Sequence, residues 1–353
     1  MITSKAVSKE EEQDMKVFVT GAAGFIGKHL VRHLAQITSV VCLIHKETTS
    51  EKDIEMLRSL GCEIVFGDIT QGSEAMTNVM RGCTHAVHLA GMYCFSATEE
   101  ELDKINVDGA VNVANAALEL GIHLVHYGTV AEFGLQIGIF TEASPHGKKI
   151  CAYGASKARG SKLIRRLRDL HGLKVTIIYP GPVLGEGDHN ISADYIDAIT
   201  TSPWRGGMLG QTYRHSVHTW LHVHDASDAG IGALMNRRTI GREYLVGGHM
   251  LSFEQFNQLI ARIWFGQERL RRPWLQWSRG ITIMAYIFVW VAYLLGTKPL
   301  WRLTPDSDRV MRFGFAFNGS RARQELLGGM PYREIESALV DYKDDHCSVC
   351  SRL

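Results

Sequence analysis

Tyr153 and Lys157, in Tyr153-Gly-Ala-Ser-Lys157, are the residues of this chain whose types and spacing could do acid–base chemistry. Four positions apart on a helix, they share one face with Cβ atoms about 6 Å apart. A phenol titrates near ~10 and carries protons poorly at neutral pH, and a nearby ammonium lowers that value by stabilising phenolate. Upstream, Thr129 in Gly128-Thr-Val-Ala-Glu-Phe-Gly134 offers a hydroxyl that could hold a substrate oxygen against the phenol. Such a pair is common by chance. Its meaning depends on the elements that must place it.

The first of those elements is Val17-Phe-Val-Thr-Gly21-Ala-Ala-Gly24-Phe-Ile-Gly27. Val17–Val19 reads as a buried strand, and Leu30, Val31 and Leu34 after the glycines fall at helical spacing. Strand, glycine turn and helix is the setting a dinucleotide-binding fingerprint needs. Gly21 permits the tight turn, Gly24 lets backbone approach a pyrophosphate, and Gly27 lets helix and strand pack closely. Ala23, Phe25 and Ile26 belong to the same turn, and the helix N-terminus offers free N–H groups to the anion. The competing reading is an ordinary strand-to-helix turn.

Further strands and helices alternate behind it, as in a doubly wound parallel α/β sheet. Strand two, Val40–Ile44, ends in His45-Lys46 with no acidic residue at its tip. An acid there would take the ribose hydroxyl of NAD, so the basic pair favours NADP(H) over NAD(H). A solvated loop is the plain alternative. Residues 51–61 read as a helix, and Glu63–Phe66 as a strand entering Gly67-Asp68-Ile69. His85–Gly91 is a fourth strand ending in Leu89, Ala90 and Gly91, and Asn106 opens a long helix. His123–Tyr127 is the strand before Thr129, residues 155–170 are helical, and Val175–Ile178 leads into Tyr179-Pro-Gly-Pro182.

Taken together, this order and spacing over roughly residues 15–250 resembles the extended short-chain dehydrogenases/reductases, the NAD-dependent epimerase/dehydratase superfamily. The glycine triplet, Asp68-Ile69, Thr129 and Tyr153/Lys157 all fall where that family has its motifs. The resemblance implies a Rossmann sheet with a smaller C-terminal substrate-binding lobe and a Thr-Tyr-Lys triad. It implies that Asp68 bonds the adenine amine while Ile69 packs on the ring, and that Leu89, Ala90, Gly91, Pro180 and Gly181 border the cofactor. Lys157 would also hold the nicotinamide ribose. Asn106 would kink its helix and hold a water of the proton relay. Thr129 stands where Ser is commoner, which preserves the hydroxyl. Many nucleotide-sugar enzymes of the family carry Arg and Asn where this chain has Tyr179 and Pro182, which counts against a nucleotide-sugar substrate. Leu221-His-Val-His-Asp225 resembles a joining segment of the family.

The chain suits a nucleotide domain plus a second lobe: 353 residues, 45% hydrophobic, 21% charged. Its net charge of +1 gives no reason to expect a nucleic-acid partner. Residues 1–14 are expected to be a disordered leader, 15–184 the Rossmann domain with returning segments near 215–248, 185–340 mainly the substrate lobe, and 341–353 a polar tail. Residues 185–220 read as loop-rich, with Trp204, Tyr213 and Trp220 among them, and Ser252-Phe-Glu-Gln255 as a helix capping box. Scattered cysteines suit a reduced, cytoplasmic protein. The lone Cys347-Ser-Val-Cys350 reads as solvated tail, and no metal is implied.

Ile281–Leu295 is largely apolar, with no charge between Arg279 and Lys298, and lies between basic and aromatic flanks (Arg271, Arg272, Trp274, Trp277, Trp301, Arg302). It is short of the about 20 residues that a span needs. A buried lid helix and a peripheral membrane contact compete, and both imply an apolar substrate. The layout is most similar to the 3β-hydroxysteroid dehydrogenase and dihydroflavonol 4-reductase-like group. That likeness implies a ketone reductase or secondary-alcohol dehydrogenase acting on a steroid, terpenoid or flavonoid-like compound. It also implies a homodimer through a four-helix bundle built from the Asn106 helix and helix 155–170. A nucleotide-sugar epimerase or dehydratase, and a non-catalytic NAD(P)-binding protein, remain the alternative readings.

Overall fold

Val17, Phe18 and Val19 are wholly buried, as a strand covered on both faces requires. They belong to β1 (Lys16–Thr20) in a computed structural model that describes residues 15–200, 213–270, 278–297 and 304–350. The expected leader, Trp204 and the flanks at 271, 272, 274, 277, 301 and 302 lie outside the described residues. After β1 come α1 (Phe25–Leu34), β2 (Ser39–Ile44), α2 (Glu51–Ser59), β3 (Glu63–Phe66), α3 (Ser73–Met80) and β4 (His85–His88). Next are α4 (Glu99–Asp103), α5 (Ala110–Leu120), β5 (His123–Tyr127), α6 (Ala152–His171) and β6 (Val175–Pro180).

The second half runs β7 (Val183–Leu184), α7 (Ile191–Thr200), β8 (Val217–His222), α8 (Val223–Met235), β9 (Glu243–Val246) and β10 (His249–Ser252). It closes with α9 (Phe253–Phe265), α10 (Ser278–Leu294), α11 (Pro305–Phe313), α12 (Ser320–Glu325) and α13 (Ile335–Cys350).

Seven strands form one parallel sheet in the order β3-β2-β1-β4-β5-β6-β9. This is the Rossmann architecture expected from the sequence. Alternation along β1 divides the core: Phe18 packs with Met76, Ala114 and Leu124 on one face. Val17 and Val19 pack with Leu30, Val31 and Leu34 on the other. A small sheet, β10-β8-β7, opens the second lobe, whose core gathers Tyr195, Trp220, Phe253, Phe256 and Leu339. The capping box before α9 is formed: Gln255 N donates to Ser252 Oγ at 3.2 Å, and Ser252 N to Gln255 Oε1 at 2.9 Å. Asp225 joins the lobes by accepting from the Arg333 backbone N–H at 2.7 Å.

Three stretches differ from expectation. Residues 191–200 form α7 instead of loop, because Tyr195, Ile196 and Ile199 give it an apolar face to bury. The polar tail from 341 is helical as far as Cys350, held by Tyr342, which is 1% exposed and donates to Asp197 Oδ1 at 2.8 Å. The apolar run at 281–295 is helix α10, but it is no buried lid: Ile287, Trp290 and Leu294 are 53%, 62% and 60% exposed.

Candidate active site

The β1–α1 turn has the shape its glycines dictate. Gly21 sits at φ +71°, in the left-handed region, and a Cβ there would lie 2.6 Å from the Ala90 backbone nitrogen. Gly27 is closer still, since a Cβ would lie 2.0 Å from the Gly21 carbonyl oxygen. No side chain caps α1 at Gly24, so the first-turn N–H groups are left for an anion. This cradle, which any side chain would fill, fits a dinucleotide pyrophosphate.

A cavity of about 580 Å³ opens over the turn, bordered by Gly21, Gly24, Phe25, Ile26, Gly27, Leu89, Gly91, Tyr153, Lys157, Pro180 and Gly181. Ala23, Ala90, His45, Lys46, Asp68 and Ile69 do not border it. His45 and Asp68 instead meet at the tips of β2 and β3, with Nε2 and Oδ2 3.8 Å apart. Asp68 also accepts from the Thr70 N–H at 2.8 Å. Ile69 is buried. Its side chain is 7% exposed and packs into the core where Gly109 leaves room.

The triad residues converge from three segments. Thr129 follows β5 and caps the turn Val130–Phe133, its Oγ1 accepting from Ala131 N at 3.3 Å. Tyr153 stands in the first turn of α6 beside the Thr129 hydroxyl, which lowers its phenol. Its ring meets Tyr93 edge-on at 4.8 Å and 89°. Burial pushes the phenol up, more than that hydroxyl lowers it. Lys157 is 5% exposed and donates to the Tyr127 carbonyl at 2.6 Å. Burial lowers its ammonium to about 8, against the opposing pull of Glu132. The expected lowering of Tyr153 by Lys157 does not appear: burial raises the phenol, and only the Thr129 hydroxyl opposes it. Asn106 lies in a π-helical turn, Lys104–Gly109, which supplies the expected kink. Its amide is fully engaged: Nδ2 donates to Met92 O and to Ser156 Oγ, each at 3.0 Å, and Oδ1 accepts from Met92 N at 2.8 Å.

Sequence reasoning missed Glu132. It is wholly buried, accepting from Thr129 N at 3.1 Å and Ser161 Oγ at 3.0 Å, while Oε2 has no partner. Ser161 Oγ in turn lies 3.4 Å from His126 Nε2, whose ring stacks on His88. The signal was present, because Thr129-x-x-Glu132 is a capping-box spacing. Burial raises the carboxyl from 4.5 to about 7, partly offset by Lys157, Ser161 and Arg165. A raised folded value means the native state holds the proton more tightly than the unfolded chain. Stability therefore falls as pH rises from 4.5 to about 7, by roughly 3 kcal/mol. Glu132→Gln should flatten this slope in melting curves taken across that range. An unaltered slope would remove the assignment.

The outer half of the cavity is drawn from distant segments: Tyr93 and Phe95, Tyr195, His218 and Trp220, Met311 and Phe315. Among the described residues that border it, Lys157 is the sole Lys or Arg, and none is a carboxylate. Among the described residues there is no cluster of side chains suited to a metal ion.

The model of the NAD dependent epimerase/dehydratase family matches residues 17–247, which span β1 to β9 and every triad residue. The chain belongs to this family. Members of the epimerase/dehydratase family are NAD(P)-dependent enzymes, and among curated members the similarity includes reductases. A Stigmatella aurantiaca 4-hydroxy-2-methyl-3-oxo-4-farnesyl-3,4-dihydroquinoline-1-oxide ketoreductase is 29% identical over 196 residues, 54% of this chain and 57% of the relative. The chain thus spans little more than half of that protein. A Synechocystis sp. protein with a provisional dihydroflavonol 4-reductase name is 26% identical over 92% of each chain. An Arabidopsis thaliana 3beta-hydroxysteroid-dehydrogenase/decarboxylase, isoform 1, is 23% identical over 91% of this chain and 77% of its own. Among solved structures, the Bacillus cereus UDP-glucuronic acid 4-epimerase with UDP-glucuronic acid and NAD superposes with TM-score 0.71 at 18% identity, covering 95% and 100% of the chains. That likeness shows the fold.

Proposed function

We propose that this family member is an NADP(H)-dependent ketone reductase, equally a secondary-alcohol dehydrogenase, for a hydrophobic ring compound of steroid, terpenoid or flavonoid type. The observation that carries this reading is the cavity wall, largely aromatic and aliphatic, with Lys157 the one Lys or Arg among the described residues that border it. A nucleotide sugar would bury a diphosphate there, and buried charge needs partners, for which the described wall offers a single full positive charge, Lys157. The basic tip of β2, His45-Lys46, supports the phosphorylated cofactor. The names of the ketoreductase and hydroxysteroid relatives agree with the substrate class.

When bound, the nicotinamide supplies or accepts the hydride. Thr129 holds the substrate oxygen, and Tyr153 gives its proton to that oxygen as the carbon is reduced. Its raised phenol keeps the proton at neutral pH, the form a donor needs. Lys157 replaces the proton from its buried ammonium and fixes the ribose, with the Asn106 turn as the onward relay. Purified protein should consume NADPH in step with a hydrophobic ketone, faster than NADH. Net conversion of a nucleotide sugar without consumption of external cofactor would establish epimerase chemistry instead. Cofactor binding without turnover across ketone, steroid and flavonoid panels would leave a non-catalytic binder.

A further inference from the structure

Helix α10 shows water a single apolar stripe. Ile283, Ile287, Trp290 and Leu294 repeat at helical spacing, with Met284, Tyr286, Val291 and Leu295 beside them, all at least 38% exposed. The stripe is about 17 Å long at 1.5 Å per residue. On the opposite side Ala292 is buried, and α10 packs on α11. The inner side of α11 presents Val310 and Met311 to the catalytic cavity.

What covers such a stripe is decided by charge. From residue 269 to residue 305 the chain has no Asp or Glu, yet it carries Arg269, Arg271, Arg272, Arg279, Lys298 and Arg302. A second copy laid on the stripe would bring two such acid-free, basic segments together. An anionic lipid surface complements both the stripe and its flanks. At about 26 Å the described helix is shorter than a hydrocarbon core. Among the described residues no helix is long and apolar enough to span a membrane.

We propose that α10 is a monotopic docking helix that seats the protein on an anionic membrane leaflet, directly outside the α11 wall of the cavity. The docking stands on the stripe and its charges alone. That lipid-dissolved ketones reach the cavity from this side rests on the reductase reading above.

The full chain is to be sedimented with phosphatidylcholine vesicles, with and without phosphatidylserine, at low salt. Binding is expected with phosphatidylserine and weakened by salt, and Ile287→Asp/Trp290→Asp should reduce the bound fraction more than about tenfold. Both positions are exposed and remote from the triad, so the variant should keep its melting temperature and NADPH affinity. A wild type that stays in the supernatant with both vesicles overturns the proposal. So does a wild type that self-associates without binding lipid and becomes monomeric in the double variant, which would make the stripe a chain-to-chain surface. Vesicle binding with no ketone turnover would sink the reductase reading and leave the docking intact.

Discussion

Tyr153→Phe is expected to lower kcat about 10³-fold while leaving NADPH affinity within about twofold. The substitution removes one oxygen atom and nothing else. The ring keeps its edge-on contacts with Tyr93 and Phe95, at 4.8 and 6.3 Å, so α6 still starts in the same place. The lost polar contact with Thr129 is worth at most about 1 kcal/mol, too little to unfold a domain of this size. What disappears is the proton donor beside the substrate oxygen. Steady-state rates with a hydrophobic ketone, together with calorimetric titration of NADPH, separate the two effects. Unchanged turnover would remove Tyr153 from the mechanism, and a matching loss of cofactor affinity would make it a binding residue.

The second large effect is expected at Gly27. Two influences of Gly27→Ala oppose each other. Alanine in a helix gains about 1 kcal/mol over glycine in propensity. Against that, the new Cβ would sit 2.0 Å from the Gly21 carbonyl oxygen, and that neighbour is backbone in a turn already fixed at positive φ. Overpacking of this kind typically costs about 1–3 kcal/mol, and here it must push α1 away from β1. The clash wins. Because α1 carries the free N–H groups of the cradle, the dissociation constant for NADPH should rise more than about 100-fold, well beyond the loss of melting temperature. Calorimetric affinity within about threefold of the parent would show that the close approach of turn and helix is not what forms the site.

The parts of this architecture that were legible in advance share a property: their signal is local. Val17–Val19 followed by Gly21, Gly24 and Gly27 contains its own strand, turn and helix. Tyr153 and Lys157 lie one helical turn apart whatever surrounds them. Ile69 shows the limit of such signals, because a pattern gives a residue's place and not the direction its side chain takes once Gly109 opens room behind it. Glu132 was written into the sequence as a cap, but its isolation from water depends on Ser161, Tyr179 and Lys157, brought together only by the sheet. The substrate wall was illegible for the same reason: Tyr93, Trp220 and Met311 are more than ninety residues apart at each step and share no motif. Likewise, an apolar run such as 281–295 reads identically whether its neighbours are protein or lipid. Only the exposed stripe on α10 separates those cases.

The position of β9 has a consequence for how the protein is made. The sheet's last strand arrives from residues 243–246, after the whole of β7, β8 and α8 has been threaded. Until then β6, buried along its full length in the finished molecule, presents an open hydrophobic edge. During synthesis that edge must wait for some sixty further residues to leave the ribosome, a long interval for an aggregation-prone surface. A fragment cut at residue 184 would keep every triad residue and still lack its seventh strand. Such a fragment should be insoluble when expressed alone and recover when β9 is supplied in trans, making the order of emergence, and not the order of motifs, the feature that sets the smallest expressible unit.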